Sequence, residues 1–341
     1  MTRNGLLLGL LAMGIAAVPR ADELVMENGS RLIGTLVSAE GDEVVFDTPF
    51  AGQLTIKQEN IASLRTDSAT LMLENGQVYR DVPLEQSTES GQVQIALQET
   101  APVSFPVEDI KLVNPDPWLL GEGYKWYGDV SVALQSERGN TDTDEWDGAM
   151  LSTWRSLEDR YEIRGSFEYD EANGEKSTDN WLVASKYDRF SKTNPDNYYG
   201  AKLRFEYDRF TDLDLRTIVG PHIGRQFMDN RFLSIRGEVG PVWVDEQFKV
   251  SEDNDYPGAM WVGQLSSGII GFGTTLYVRH DGILNFDDAD ELVLNTTVGL
   301  KMPLIFGFET GIEAKYEYDG GAVEGVDDTD ETYNFRIGYT W

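Results

Sequence analysis

Among the 341 residues there are two histidines, His222 and His280, and no cysteine. The absence of Cys excludes a thiolate nucleophile, a disulfide framework and a Cys-ligated metal. An envelope serine hydrolase would need a Ser, one of these two His and an orienting polar group. Neither His has a serine at a diagnostic spacing, and the Gly-x-Ser-x-Gly pattern is absent. Both are therefore expected on ordinary strand faces, and the chain is not expected to be an enzyme. Carboxylates are the abundant reactive groups, 59 Asp and Glu against 28 Lys and Arg, a formal charge of -31. Such a balance argues against nucleic acid as a partner, because phosphate recognition needs a basic footprint. Acids cluster at Asp142, Asp144, Glu145 and Asp147, at Glu252, Asp253 and Asp255, and at Asp327, Asp328, Asp330 and Glu331. Hard divalent cations take several carboxylate oxygens, so Asp142, Asp144, Asp327, Asp328 and Asp330 are weak candidates for loop-bound Ca²⁺ or Mg²⁺. None follows EF-hand spacing, plain solvation is the competing explanation, and no other cofactor is expected.

A second set of charges carries more information because of what stands between its members. Glu162, Arg164, Lys202, Arg204, Glu206, Arg216, Arg236, Glu309, Glu313, Lys315 and Arg336 lie in segments whose alternate residues are mostly apolar or aromatic. Tyr161, Ile163, Phe167 and Tyr169 make one such face; Tyr199, Ala201, Leu203, Phe205 and Tyr207 make another. A period of two is the signature of a strand with one greasy and one wet face. Strands of this kind are expected to begin near 126, 143, 160, 179, 197, 213, 231, 259, 273, 290, 307 and 331. Alternation is least clean around 231–270. The connections alternate between tight turns and longer acidic loops, the pattern of outer-membrane barrels. The charged face then lines the lumen. Mixed charges there suit a water-filled pore, or a salt-bridge network that closes it. Twelve strands give a bore between filled eight-stranded barrels and open porins.

The final strand has Tyr333, Phe335, Ile337, Tyr339 and Trp341 on one face, with Arg336 on the other. Its aromatic ending resembles the C-terminal signal by which outer-membrane barrels are recognised for insertion. Lipid, lipopolysaccharide and the barrel-assembly machinery are therefore expected partners. A soluble lipocalin-like barrel or β-sandwich would show the same alternation with its apolar face turned inward.

Residues 1–21 read as a signal peptide: Arg3 precedes an apolar run from Leu6 to Val18, too short to span a bilayer comfortably. Residues 22–113 hold two repeats, about 22–67 and 68–113: Leu24-Val25-Met26-Glu27-Asn28-Gly29 returns as Leu71-Met72-Leu73-Glu74-Asn75-Gly76. Asn-Gly predicts a type I′ hairpin in each. Each repeat is long enough for a small SH3-like or Sm-like β unit, or the two form one intertwined pair. This module is read as periplasmic, with peptidoglycan or a protein partner as its ligand, or as a solvated spacer. A Pro-rich linker, 114–125, leads to the barrel, 126–341.

Gly139-Asn140-Thr141-Asp142, the hairpin Tyr207-Asp208-Arg209-Phe210-Thr211-Asp212-Leu213-Asp214-Leu215-Arg216 and the later Gly240-Pro241 resemble the domain-of-unknown-function family of salt-induced outer-membrane proteins. The resemblance covers about 124–341 and implies an outer-membrane barrel; it carries over no catalytic or binding residue. The expected fold class is all-β: a roughly twelve-stranded antiparallel transmembrane β-barrel preceded by a small soluble β module with two repeats. The expected function is a narrow channel for small solutes or ions in the bacterial outer membrane. The alternative is a non-conducting envelope protein that uses its periplasmic module to hold peptidoglycan or a partner.

Overall fold

The computed structural model describes residues 21–341 apart from 42, 88–90, 96–101, 138–142, 231 and 323–326. The expected leader up to residue 20 and the Gly139–Asp142 turn, with candidate ligand Asp142, lie outside the described residues. The chain divides into two compact units between Asp116 and Pro117.

The first unit is one antiparallel sheet of β1 (Asp22–Met26), β2 (Arg31–Glu40), β3 (Glu43–Thr48), β4 (Gly52–Lys57), β5 (Ile61–Leu73), β6 (Val78–Gln86), β7 (Gln92–Ile95), β8 (Val103–Pro106) and β9 (Ile110–Val113). Their order is β4-β3-β2-β1-β5-β6-β7-β8, with β9 paired to β2 and β5. The repeats interlock through β5. Its first half closes the first repeat against β1, Leu24 opposite Leu64 and Met26 opposite Ile61. Its second half opens the second repeat against β9, Leu71 opposite Val113 and Leu73 opposite Ile110. Both pairings break register at the same step. One core serves both halves, with Leu24, Phe46, Leu64, Leu71, Leu84, Val93, Ile95 and Val113 nearly inaccessible. The intertwined arrangement, not two separate barrels, lets units this short share apolar burial.

The Asn-Gly turns differ from expectation. Gly29 donates to the Met26 carbonyl at 2.9 Å and Met26 to the Ser30 carbonyl at 2.8 Å; Gly76 and Leu73 repeat the pattern. Only the glycines, both at φ +83°, enter the left-handed region; Asn28 and Asn75 do not. This is a type I turn with a G1 bulge, not type I′. Each Asn side chain instead accepts from the amide two residues on, Ser30 or Gln77, at 2.9 Å.

The second unit is a closed barrel of β10 (Lys125–Glu137), β11 (Thr143–Arg155), β12 (Asp159–Ala172), β13 (Glu175–Phe190), β14 (Asn197–Asp208), β15 (Leu213–Asp229), β16 (Leu233–Phe248), β17 (Asn254–Gly271), β18 (Thr274–Asn285), β19 (Leu292–Pro303), β20 (Phe308–Asp319) and β21 (Thr329–Thr340). Twelve is the expected number. β12 and β13 are joined by a two-residue turn, Asn173 (φ +52°) and Gly174 (φ +81°), which makes a type I′ hairpin.

Burial runs opposite to that of a soluble protein. Phe335 is 63% exposed on the outside, whereas its neighbour Arg336 is 6% exposed within. The same inversion holds for Tyr161 and Ile163 against Glu162, and excludes the inward-apolar alternative. Rings on the outside sit in rows: Trp126, Trp154, Tyr161 and Tyr187 pair laterally near the short turns. Phe167, Trp181 and Tyr207 pair nearer the loops. Tyr161 and Tyr169, eight residues apart, span roughly 26 Å of strand at ~3.3 Å per residue, somewhat less along a tilted barrel's axis. Two aromatic girdles flanking an apolar band of that height are the exterior of a membrane-spanning barrel of outer-membrane type.

β21 closes the barrel against β10, with Val130 opposite Tyr339 and Val132 opposite Ile337. Beyond the ladder, Gly128 and Trp341 exchange backbone hydrogen bonds of 3.2 and 3.1 Å. A Cβ on Gly128 would lie 2.7 Å from the Trp341 ring, so glycine lets that ring settle beside Trp126, 5.5 Å away. Trp341 is thus on the outer face, as expected, but partly covered. Deleting Trp341 removes two closing hydrogen bonds at about 1 kcal/mol each and the ring packing. The expected outcome is a smaller heat-modifiable, membrane-inserted fraction on gels; unchanged outer-membrane levels would count against a closing role.

Candidate functional site

The barrel encloses a cavity of about 960 Å³, lined from Pro195, Asp196 and Asp229 near the short turns to Asp208, Leu213 and Asp319 near the loops. In its wall lie Glu162, Arg164, Lys202, Arg204, Glu206, Arg216, Arg236, Glu309, Glu313, Lys315 and Arg336, all eleven residues picked out by alternation. Among the described residues, twelve of the chain's 28 Lys and Arg line it. The net acidity of the chain therefore does not describe its interior.

Ion pairs cross the lumen as well as running along neighbouring strands. Arg236 on β16 reaches Glu162 on β12 at 2.8 Å, four strands away. Arg204 on β14 reaches Asp281 on β18 at 2.9 Å. Arg216 on β15 holds Glu246 at 2.5 Å and reaches Asp319 on β20 at 3.0 Å. Lys315 on β20 bonds Glu168 on β12 and Asp147 on β11. Arg336 joins Asp147 at 2.6 Å and Glu313 at 3.1 Å, and Tyr277 donates to Glu313 at 2.6 Å. Charge-assisted bonds of this length are the strong class.

The tightest knot surrounds Asp188, which is fully buried. One of its oxygens accepts from Arg160 Nε and Nη2 at 2.8 and 2.6 Å, and the other faces His222 Nε2 at 2.6 Å. Tyr198 donates to Glu238 at 3.0 Å. Ligand atoms of Asp188, His222 and Glu238 lie within 4.8 Å of one another, close enough for a metal ion. The Lys186 ammonium, however, touches Glu238, Asp188 at 3.2 Å and Glu162 at 2.7 Å. A cation already occupies the carboxylate cage and uses its three donors there, so the donor set does not fit a metal. His222 is not on an ordinary strand face but buried against Asp188, and this corrects the sequence reading. The available signal was Gly200 opposite, where a Cβ would approach the His222 ring to 3.0 Å. His280 does lie on the outer face, 2.9 Å from Thr296 Oγ1. Neither ring is paired with a serine hydroxyl among the described residues.

Part of the wall is apolar. Ile218, Val242, Val244, Tyr256, Met260, Val262, Ile283 and Val293 form one buried cluster on β15–β19. Here both faces of a strand are apolar, as in Val242-Trp243-Val244, and the period of two fades in the sequence. That accounts for the poor alternation around 231–270.

The acidic loops behave differently from the expectation of cation sites. Among the described residues, Asp144, Asp327, Asp328 and Asp330 belong to no cluster of three ligand groups; Asp328 accepts from Thr329 at 3.0 Å. The β14–β15 loop instead latches the β16–β17 loop: Asp212 accepts from the amides of Val250 at 3.1 Å and Ser251 at 2.9 Å. The Ser251 amide holds the Asp212 carboxyl below the usual carboxylate range.

Two predictions follow from this geometry. A carboxyl with a depressed folded pKa stabilises above its unfolded value, and that contribution is lost as pH falls through the folded one. Exchange protection of the Val250 and Ser251 amides should therefore persist through mild acid and collapse only below the ordinary carboxylate range, with Asp212→Asn abolishing the dependence. Asp188→Asn removes the anion that Arg160 binds most closely, leaving it only Glu162 at 3.8 Å, and should cost up to about 3–5 kcal/mol, read as a shift in urea unfolding of the barrel in vesicles.

Residues 130–341 match the family described as "Protein of unknown function, DUF481". The uncharacterized protein YdiY of Escherichia coli (strain K12) is 23% identical over 180 residues, covering 51% of this chain and 71% of that protein. Among solved structures, the NanC porin is similar at 14% identity and a TM-score of 0.40, over 62% of this chain and 98% of that one. The β domain of the Bordetella autotransporter BrkA is similar at 12% identity and a TM-score of 0.33, over 64% and 98% of the two chains. The match over 130–341 covers the barrel almost from its first strand to its last residue, and the chain belongs to the DUF481 family.

Proposed function

We propose that this chain is a channel of narrow bore for small polar solutes or ions in the bacterial outer membrane. One observation carries the reading: a cavity with charged walls extends from the short-turn end of the barrel to the loop end. Polar walls let water and solutes cross a bilayer. The bridges that cross the lumen restrict its width, so passage is selective and small-scale. An even strand number brings Lys125 and Trp341 to the short-turn end, and this end is assigned to the periplasm, as in other barrels of this type. Residues 22–113 are then a periplasmic module, with peptidoglycan or an envelope protein as its ligand. The exposed apolar side chains Phe272 and Phe306 at short turns suit the membrane edge. The last strand is assigned the role of recognition signal for the assembly machinery. No catalysis is assigned: neither His222 nor His280 has a serine hydroxyl as partner among the described residues.

The cross-lumen bridges favour a second reading, a closed barrel that serves to anchor its module. Planar-bilayer recording of the refolded full chain separates the two. Discrete openings, altered in conductance or selectivity by Arg204→Glu or Glu313→Lys, are the expected result. Electrical silence would transfer the function to the module, to be tested by peptidoglycan pull-down of the full chain against a chain lacking residues 22–113.

A further inference from the structure

Most charges at the waist of the lumen have partners, which makes the exceptions informative. Most carboxylates there are committed: Glu162 to Lys186 and Arg236, Glu238 to Lys186, Glu206 to Arg204 and Arg216, Asp281 to Arg204 and Arg279; Glu317, in the same wall, makes no ion pair among the described residues. Two cations remain. Arg164 lines the cavity and, among the described residues, makes no ion pair or hydrogen bond. Lys202 also lines it, is 7% exposed, and its ammonium has no hydrogen-bond partner. Lys202 thus carries a buried, unpartnered charge, whereas Arg164 is half-buried; such a buried charge is costly, and native structures rarely leave one without a reason.

The strand register brings these two together with a third. Arg164 on β12 pairs laterally with Ala184, and Ala184 with Arg204 on β14. Lys202 is two residues from Arg204 on the same inward face. Arg164 and Arg204 are thus separated by two strand spacings, roughly 10 Å, within reach of two long side chains. From the other wall, Asp281 ties Arg279 to Arg204, at 3.2 and 2.9 Å. Arg279 spends only its Nε on this contact, leaving both Nη groups without a hydrogen bond among the described residues. Three cationic side chains therefore line one stretch of the lumen, where the nearby carboxylate without an ion pair among the described residues is Glu317, two strands from Asp281.

We infer that the waist is a binding site for a small oxyanion, a carboxylate or a phosphate, held by Arg164, Lys202 and Arg279. Guanidinium groups present paired N–H donors that match the two oxygens of such a group. The ammonium supplies a third point of charge. A solute crossing the lumen would exchange its water for these donors at the waist. The inference deepens the channel reading and rests on it for its role in transport, but not for the existence of the site.

The test has two arms on the refolded full chain, wild type and the Arg164→Gln/Lys202→Gln variant. Neither replaced side chain bonds to another residue, so the variant is expected to fold; the charge-conserving Arg164→Lys/Lys202→Arg variant covers the case in which it does not. In calorimetric titration with inorganic phosphate and, separately, acetate, the wild type should bind at least one. The Gln variant should bind on the order of tenfold more weakly, and the charge-conserving variant close to the wild type. Preference for one titrant names the class of head group. In bilayers with a KCl gradient, the wild type should select anions, and the Gln variant should lose that selectivity. Openings that select cations, or that the Gln variant leaves unchanged, together with no binding of either titrant, would overturn the site and leave the channel standing. Binding without any openings would overturn the channel and leave the site standing.

Discussion

The constraint on which the barrel depends is the closure of β10 on β21. A sheet in hydrocarbon cannot leave an edge unpaired, because nothing there replaces the lost hydrogen bonds. Once Gly128 and Trp341 complete the seam, every strand has two neighbours and half of its side chains are turned inward. The inward half is confined, and its charges meet one another instead of bulk water. The ion pairs between Arg204 and Asp281, or Arg216 and Asp319, are a consequence of closure. They join residues far apart in sequence that only a ring of strands brings face to face.

Closure also sorts the charges by sign and place. The chain is acidic as a whole, yet cations concentrate in the lumen, where most carboxylates of the waist find one. The excess acid is left to loops and to the first unit. An electrostatic forecast from net charge would give the interior the wrong character. Around Asp188 the packing goes further: the Lys186 ammonium fills a carboxylate cage that would otherwise suit a metal, and His222 is held by the same aspartate.

The first unit solves a different problem with the same material. Each repeat alone is too short for a self-sufficient core. A single long strand, β5, ends one repeat and begins the next, and both halves bury their leucines in a common interior. The duplicated Asn-Gly turns are alike in detail, down to the side-chain bond from Asn to the following amide. The duplicated sequence thus folds into duplicated local geometry, although the repeats are not separate bodies.

Alternation by itself determined the strand number, the approximate strand starts and which face of each strand is charged, because side-chain direction in a strand has a period of two regardless of what surrounds it. It determined Glu162 and Arg336 as one class and Tyr161 and Phe335 as another. Alternation could not say which class faces in, since a soluble barrel would show the same pattern; the tertiary structure decided that. It faded where the lumen wall is apolar, at Val242, Val244 and Met260, because two apolar faces have no contrast. Nor could it pair charges. Arg236 with Glu162, His222 with Asp188, and the isolation of Arg164 and Lys202 depend on which strands oppose across the lumen. That is fixed by ring closure and register, over separations in the chain that no local pattern records.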